Sequence, residues 1–192
     1  METENASATR LKPAHLPITL RPYKHVFDLS YTSAKLATAL SLLRTIRARG
    51  EKTLVFAHFR WTMDVLHHAL IRERIGCAQY HGDLSSSERT AVLDRVRTDA
   101  GCTVLIMSIL AGGVGLNITS CNHVLVLEPW WNPYVEDQAI ARAHRIGQTK
   151  PVQVYKLVGE DCVEGRMTAT QERKRAEVGS MMGRASAGVA RR

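Results

Sequence analysis

Thr103-Val104-Leu105-Ile106-Met107 is an uninterrupted apolar run that passes directly into Ser108-Ile109-Leu110-Ala111-Gly112-Gly113-Val114-Gly115-Leu116-Asn117. The first five residues have the length and composition of a strand buried on both faces. The following ten place three glycines in four positions, and glycine lets backbone N–H groups approach an anion closely. Taken alone, the same glycines also suit a tight turn that needs only their dihedral freedom.

The pattern repeats outward from this segment. A helix is expected from Ser33 to Arg49, with Leu36, Leu40 and Leu43 at helical spacing and Gly50 as its stop. Thr53–Ala57 reads as a strand, Trp61–Arg74 as a helix and Cys77–Tyr80 as a short strand. Ser85 and Glu88 have the spacing of a capping box that opens a helix ending near Thr98. His123–Leu127 is a second uninterrupted apolar strand, Pro133 suits a first helical position, and Val152–Val158 is a last strand. Strands alternating with amphipathic helices predict an α/β fold, a parallel sheet covered by helices on both faces. Ligands of such sheets lie beyond the carboxyl ends of the strands. That puts His58–Trp61, Ser108–Asn117 and Glu128–Asn132 on one rim.

Composition sets the limits. A chain of 192 residues, 45% hydrophobic and 23% charged, supports one ordinary globular domain with a terminal extension. No apolar run approaches the roughly 18 residues that span a bilayer, and METENASATR lacks the apolar core of a secretory signal. The formal charge of +8 is spread along the chain, which suits a polyanionic partner better than a detachable basic tail. Cys77, Cys102, Cys121 and Cys162 have no zinc-knuckle spacing, so no metal site is expected and buried reduced thiols are the reading.

The sharpest chemical signal is Gln138-Ala139-Ile140-Ala141-Arg142-Ala143-His144-Arg145. On one continuous helix, Gln138, Arg142 and Arg145 fall within an arc of about 60°. Val135, Ala139, Ala143 and Ile146 then share the adjoining apolar face, so two guanidiniums point outward together. Such a pair repels itself unless an anion sits between, and a phosphate fits that geometry. A solvated arginine face is the competing reading. His58-Phe59-Arg60-Trp61 and His81-Gly82-Asp83 follow strands and could hydrogen-bond a nucleic-acid backbone or act as local caps. Trp130-Trp131-Asn132-Pro133 could stack on a base or close the helix entry by packing.

Three blocks together resemble the carboxy-terminal RecA-like lobe of Swi/Snf-type ATPases, in helicase superfamily two: Ser108–Thr119 (SILAGGVGLNIT), Glu128–Gln148 (EPWWNPYVEDQAIARAHRIGQ) and Pro151–Leu157 (PVQVYKL). The resemblance covers residues 31–178 and is greatest to the branch of repair translocases and RING-bearing ubiquitin-ligase remodellers. It implies a single RecA-like lobe over 31–160, a brace helix over 161–182, a partly irregular lead-in over 1–30 and a flexible basic tail over 183–192. It also implies roles. Arg145 would be an arginine finger on the γ-phosphate with Arg142 beside it. Gln138, Gly113, Gly115 and Asn117 would line the nucleotide. Ser108, Ala111 and Gly112 would meet the phosphates of a DNA strand, and His58, Arg60, His81, Gly82, Trp130 and Asn132 would face DNA. The implied partners are duplex DNA, an amino-terminal RecA-like lobe and nucleosomes, with no membrane, and the implied compartment is the nucleus.

The resemblance also marks what these residues do not supply. ATP and Mg2+ would need a G-x-x-x-x-G-K-S/T loop and an Asp-Glu-x-His segment from an amino-terminal lobe. Gly50-Glu51-Lys52-Thr53 lacks the Gly-Lys pair and precedes a strand instead of following one. Glu128 ends an apolar strand as an acid should, but Pro129 stands where a second acid belongs. The 192 residues alone are therefore expected to hydrolyse no ATP. A DEAD-box RNA helicase lobe is disfavoured, because there HRIG overlaps the arginine motif and here that motif lies upstream. A non-enzymatic module that binds DNA or a partner remains the alternative.

Overall fold

A computed structural model describes residues 32–111, 115–159 and 162–189. The lead-in over 1–30 and the glycines Gly112 and Gly113 lie outside them. Five strands, β1 (Thr53–Ala57), β2 (Gly76–Tyr80), β3 (Cys102–Ser108), β4 (His123–Val126) and β5 (Gln153–Lys156), form one sheet in the order β2-β3-β1-β4-β5. Every pairing is parallel, with Val55 opposite Ile106 on one side and Leu125 on the other. The helices are α1 (Ala34–Ala48), α2 (Arg60–Arg72), α3 (Ser86–Thr98), α4 (Pro133–Ile140) and α5 (Val163–Val189).

Period-two alternation divides the core between the two faces of the sheet. Val55, Ala57, Val104, Ile106 and Leu125 pack with Leu36, Leu40 and Leu43 of α1 and Met63, Leu66 and Leu70 of α2. Leu54, Phe56, Leu105, Met107 and Val124 face the other way, onto Val96 of α3 and Ala139 of α4. Each buried Leu, Ile, Met or Phe contributes about 1.5–3 kcal/mol. The helix starts follow side-chain chemistry. Ser33 accepts from Leu36 N at 3.2 Å, and Ser85 with Glu88 forms the reciprocal capping box. At the start of β2 a glycine is required, since a Cβ on Gly76 would lie 2.0 Å from the Gly101 carbonyl oxygen.

Four expectations need correction. The arginine helix stops at Ile140, and residues 141–147 form turns. The reason is tertiary: in a continuing helix the Arg142 carbonyl would accept from residue 146, but here it accepts from Ile118 N at 3.0 Å. Ile146, placed on the apolar face by helical spacing, is 101% exposed. Cys77, Cys102 and Cys121 are buried, whereas Cys162 is exposed. The last helix runs to Val189, beyond the end expected at 182; Arg184, Ala185 and Ala187 are all good helix formers.

Candidate functional site

Because all strands are parallel, the segments after β1, β3 and β4 leave the sheet at the same rim. Ile109 N donates to Ala57 O, and Leu127 N to Phe56 O, so these exits stay in register. Glu128 ties two of them together. One carboxylate oxygen accepts from His58 N at 2.7 Å and Phe59 N at 3.2 Å, and the other accepts from the Thr62 hydroxyl. Phe59, the N-cap residue of α2, offers no side-chain cap, so an acid from another strand satisfies the helix start and complements its dipole. The acid that resembled a metal-site residue in sequence is a clamp on the β1–α2 loop.

That clamp presents an aromatic row. The His58 ring lies 4.5 Å from Phe59 and 4.1 Å from Trp130, and Trp130 lies 6.1 Å from Trp131. His58 Nδ1 is buried without a hydrogen-bond partner. Arg60 opens α2 and is already engaged by Asp64 at 3.2 Å and Asp83 at 3.5 Å. Burial, reinforced by Arg60, holds the His81 imidazole below its ordinary pKa. Gly82 is exposed, and its carbonyl accepts from Arg89 at 2.7 Å. Asn132 caps α4 by accepting from Tyr134 N at 3.2 Å, a structural use of its side chain.

The described residues expected at a nucleotide lie on α4, in the turn after it and in the segment from Gly115. Arg145 is exposed and donates to the carbonyls of Gly115 at 3.1 Å and Leu116 at 3.3 Å. Gln148 donates to the carbonyls of Thr119 at 3.1 Å and Cys121 at 3.0 Å. With the Ile118–Arg142 backbone bond, these contacts lace 115–121 to 142–148 along their length. Gly147, at φ +101°, adopts the backbone conformation that this turn requires and that L side chains rarely take. Arg142 is 9% exposed, so the expected outward pair of guanidiniums is one exposed group and one buried. Gln138 and Asn117 are exposed, Ser108 ends β3, and Ala111 is half-buried beyond it. Among the described residues no group of three His, Cys, Asp or Glu side chains could hold a metal ion.

Sequence reasoning missed a second polar cluster behind the rim. Glu136 of α4 accepts from Trp130 N at 2.6 Å and from Gln171 of α5 at 2.6 Å, and it pairs with Lys156 of β5. Gln171 also donates to Trp130 O. At the amino end of α5, Glu164 pairs with Lys35 of α1 and accepts from Gly159 N at 2.7 Å. No local spacing announces the links to Lys156, Gln171 and Lys35, because they join residues 20 or more apart in the chain.

A five-stranded, all-parallel α/β sheet with helices on both faces is the RecA-like architecture. Residues 34–147 match the helicase conserved C-terminal domain, and the chain belongs to that family. DNA repair protein rad8 of Schizosaccharomyces pombe is 42% identical over 78% of this chain and 13% of its own length. DNA repair protein RAD5A of Arabidopsis thaliana is 40% identical over 74% of this chain and 14% of its own. The crystal structure of the C-terminal part of the Fun30 ATPase domain superposes with a TM-score of 0.70 at 31% identity, over 72% of this chain and 45% of that one. The Sulfolobus solfataricus SWI2/SNF2 ATPase C-terminal domain, with a TM-score of 0.60 at 24% identity over 74% of this chain and 57% of that one, shares the fold. The chain thus spans only a small part of the length of rad8 and RAD5A.

Proposed function

We propose that this chain acts as the second lobe of a DNA-dependent ATPase that translocates on duplex DNA, working against an amino-terminal lobe outside these 192 residues. Arg145 carries the reading. It is exposed and braced by two backbone carbonyls, and among the described residues it forms no ion pair with a carboxylate. Its charge is held in place without being neutralised, which suits a phosphate.

ATP, with Mg2+ on the other lobe, supplies the phosphoanhydride to be cleaved. Arg145 stabilises charge on the γ-phosphate as an arginine finger, with Arg142 behind it and Gln138, Gly113, Gly115 and Asn117 lining the cleft. Leu110 and Ile146 are exposed and would give an opposing lobe apolar surface to cover. Ser108, Ala111 and Gly112 contact strand phosphates, while His58, Arg60, His81, Gly82, Trp130 and Asn132 form the rest of the DNA face. Tension on the glycine loop reaches Arg145 through the carbonyls of Gly115 and Leu116, so strand grip and finger placement move together. The repair proteins among its relatives support a role in DNA repair; a nuclear location and nucleosomal DNA as a substrate belong to the same proposal.

The test is ATP turnover by the purified chain, with and without an amino-terminal lobe from a relative and with and without duplex DNA. The chain alone is expected to be inactive and the mixture to turn over ATP on DNA. Arg145→Ala should lower that rate by about 10³-fold or more. Steady turnover by the chain alone overturns the two-lobe reading, and DNA binding without rescue favours the non-enzymatic module.

A further inference from the structure

Glu136 is 0% exposed, and a carboxylate removed from water is tolerated only when its lone pairs are met. They are met from three directions. The N–H of Trp130 comes from the β4–α4 turn, the Nε2 amide of Gln171 from α5 and the ammonium of Lys156 from β5. The second amide hydrogen of Gln171 goes to the carbonyl of Trp130. Both backbone groups of Trp130 are therefore held, one by Glu136 and one by α5, and its indole stands 4.1 Å from the His58 ring. The other side-chain links from this part of α5 to the turn and α4 are more exposed: Arg175 to Asp137 at 2.6 Å, and Lys174 over the Trp131 ring at 4.3 Å. Exposed pairs of that kind contribute little. If α5 shifted, the Trp130 carbonyl would lose the Gln171 donor and Glu136 Oε1 one of its two, in a place largely withdrawn from water, which disfavours the present pose of the turn.

We propose that Gln171 and Glu136 are positioning residues that set the pose of Trp130 and His58, so that docking of α5 is a condition for full grip on duplex DNA. The inference rests on the reading of His58 and Trp130 as DNA-facing. It makes α5 more than a cover for apolar surface. The helix holds one backbone carbonyl of the DNA-binding rim.

The experiment uses the full chain with Gln171→Leu, and Gln171→Asn as a second variant that keeps polarity but withdraws the amide by one methylene. Two readouts are taken on variants whose circular dichroism shows them folded. In the first, proton NMR follows the His58 imidazole, whose ring-current shift from Trp130 should collapse toward the ordinary histidine position in both variants. In the second, affinity for duplex DNA should weaken about ten-fold at an unchanged salt slope, because no phosphate contact is lost. In a Trp130→Ala background, Gln171→Leu should weaken binding no further. An unmoved His58 resonance overturns the proposal whether or not the chain binds DNA. Unchanged affinity, or additive losses in the double variant, overturns it as well. Failure of the unsubstituted chain to bind DNA, with the His58 shift behaving as expected, overturns the DNA-binding reading and the grip clause while leaving the positional coupling standing.

Discussion

Glu51 shows how far one side chain's use can lie from its sequence context. It sits in the Gly50–Thr53 stretch that imitates part of a phosphate loop, yet its carboxylate is 2.6 Å from Nε2 of His123, which is 0% exposed. Hydrogen bonds from His123 first, then Asn122, with Lys150 adding to them, pull its pKa from 4.5 to about 2. A folded-state value below the unfolded one stabilises the fold fully above the unfolded pKa, and the contribution is lost as pH falls through the folded value. The thermal midpoint should therefore decline between pH 4.5 and about 2, and Glu51→Gln should flatten that decline. Equal slopes for the two proteins would show that the carboxylate contributes nothing there. Cys121 is the opposite case, since burial pushes its thiol up to about 12 and keeps it protonated and unreactive at neutral pH.

At the scale of elements, the segments that were legible were those whose cause is local. The strands declare themselves as apolar runs, and Ser33, Ser85 with Glu88, and Pro133 mark helix starts by residue type alone. The arginine turn was not legible. Its alanine-rich window has helical periodicity, and only the Ile118 N–H, more than twenty residues upstream, takes the carbonyl that would have continued the helix. Gln138 and Arg145 remain exposed while Arg142 does not, which no wheel diagram distinguishes. Glu136 was hidden for the same reason, because its partners Lys156 and Gln171 are 20 and 35 residues away. The cross-strand clamp on α2 lends itself to measurement. Glu128→Ala removes the acceptor for two backbone N–H groups, so urea denaturation should show a loss of about 1–2 kcal/mol, the range of a deleted helix cap. A change below about 0.3 kcal/mol would mean that solvent caps the helix equally well.

For the molecule as a whole, the basic balance and the polarity of the rim make opposite demands on a nucleic-acid partner. A charge of +8 attracts a polyanion generally, whereas the DNA-facing residues proposed here are mostly neutral, and Arg60 is already paired. Duplex binding should accordingly be indifferent to base sequence and salt-dependent, weakening by at least ~10-fold between about 50 and 200 mM salt. A titration series in which affinity survives that change, or in which one sequence is strongly preferred, would contradict a backbone-reading interface.

Arg145 leans on the carbonyls of Gly115 and Leu116, and those acceptors belong to the main chain. Side-chain replacement at either position leaves the oxygen where it was, so alanine scanning would pass over the contact and evolution can vary those side chains without touching it. Exchanging the peptide nitrogen of Asn117 for an ester oxygen, which weakens the Leu116 carbonyl as an acceptor and alters no side chain, is the chemical edit that reaches it.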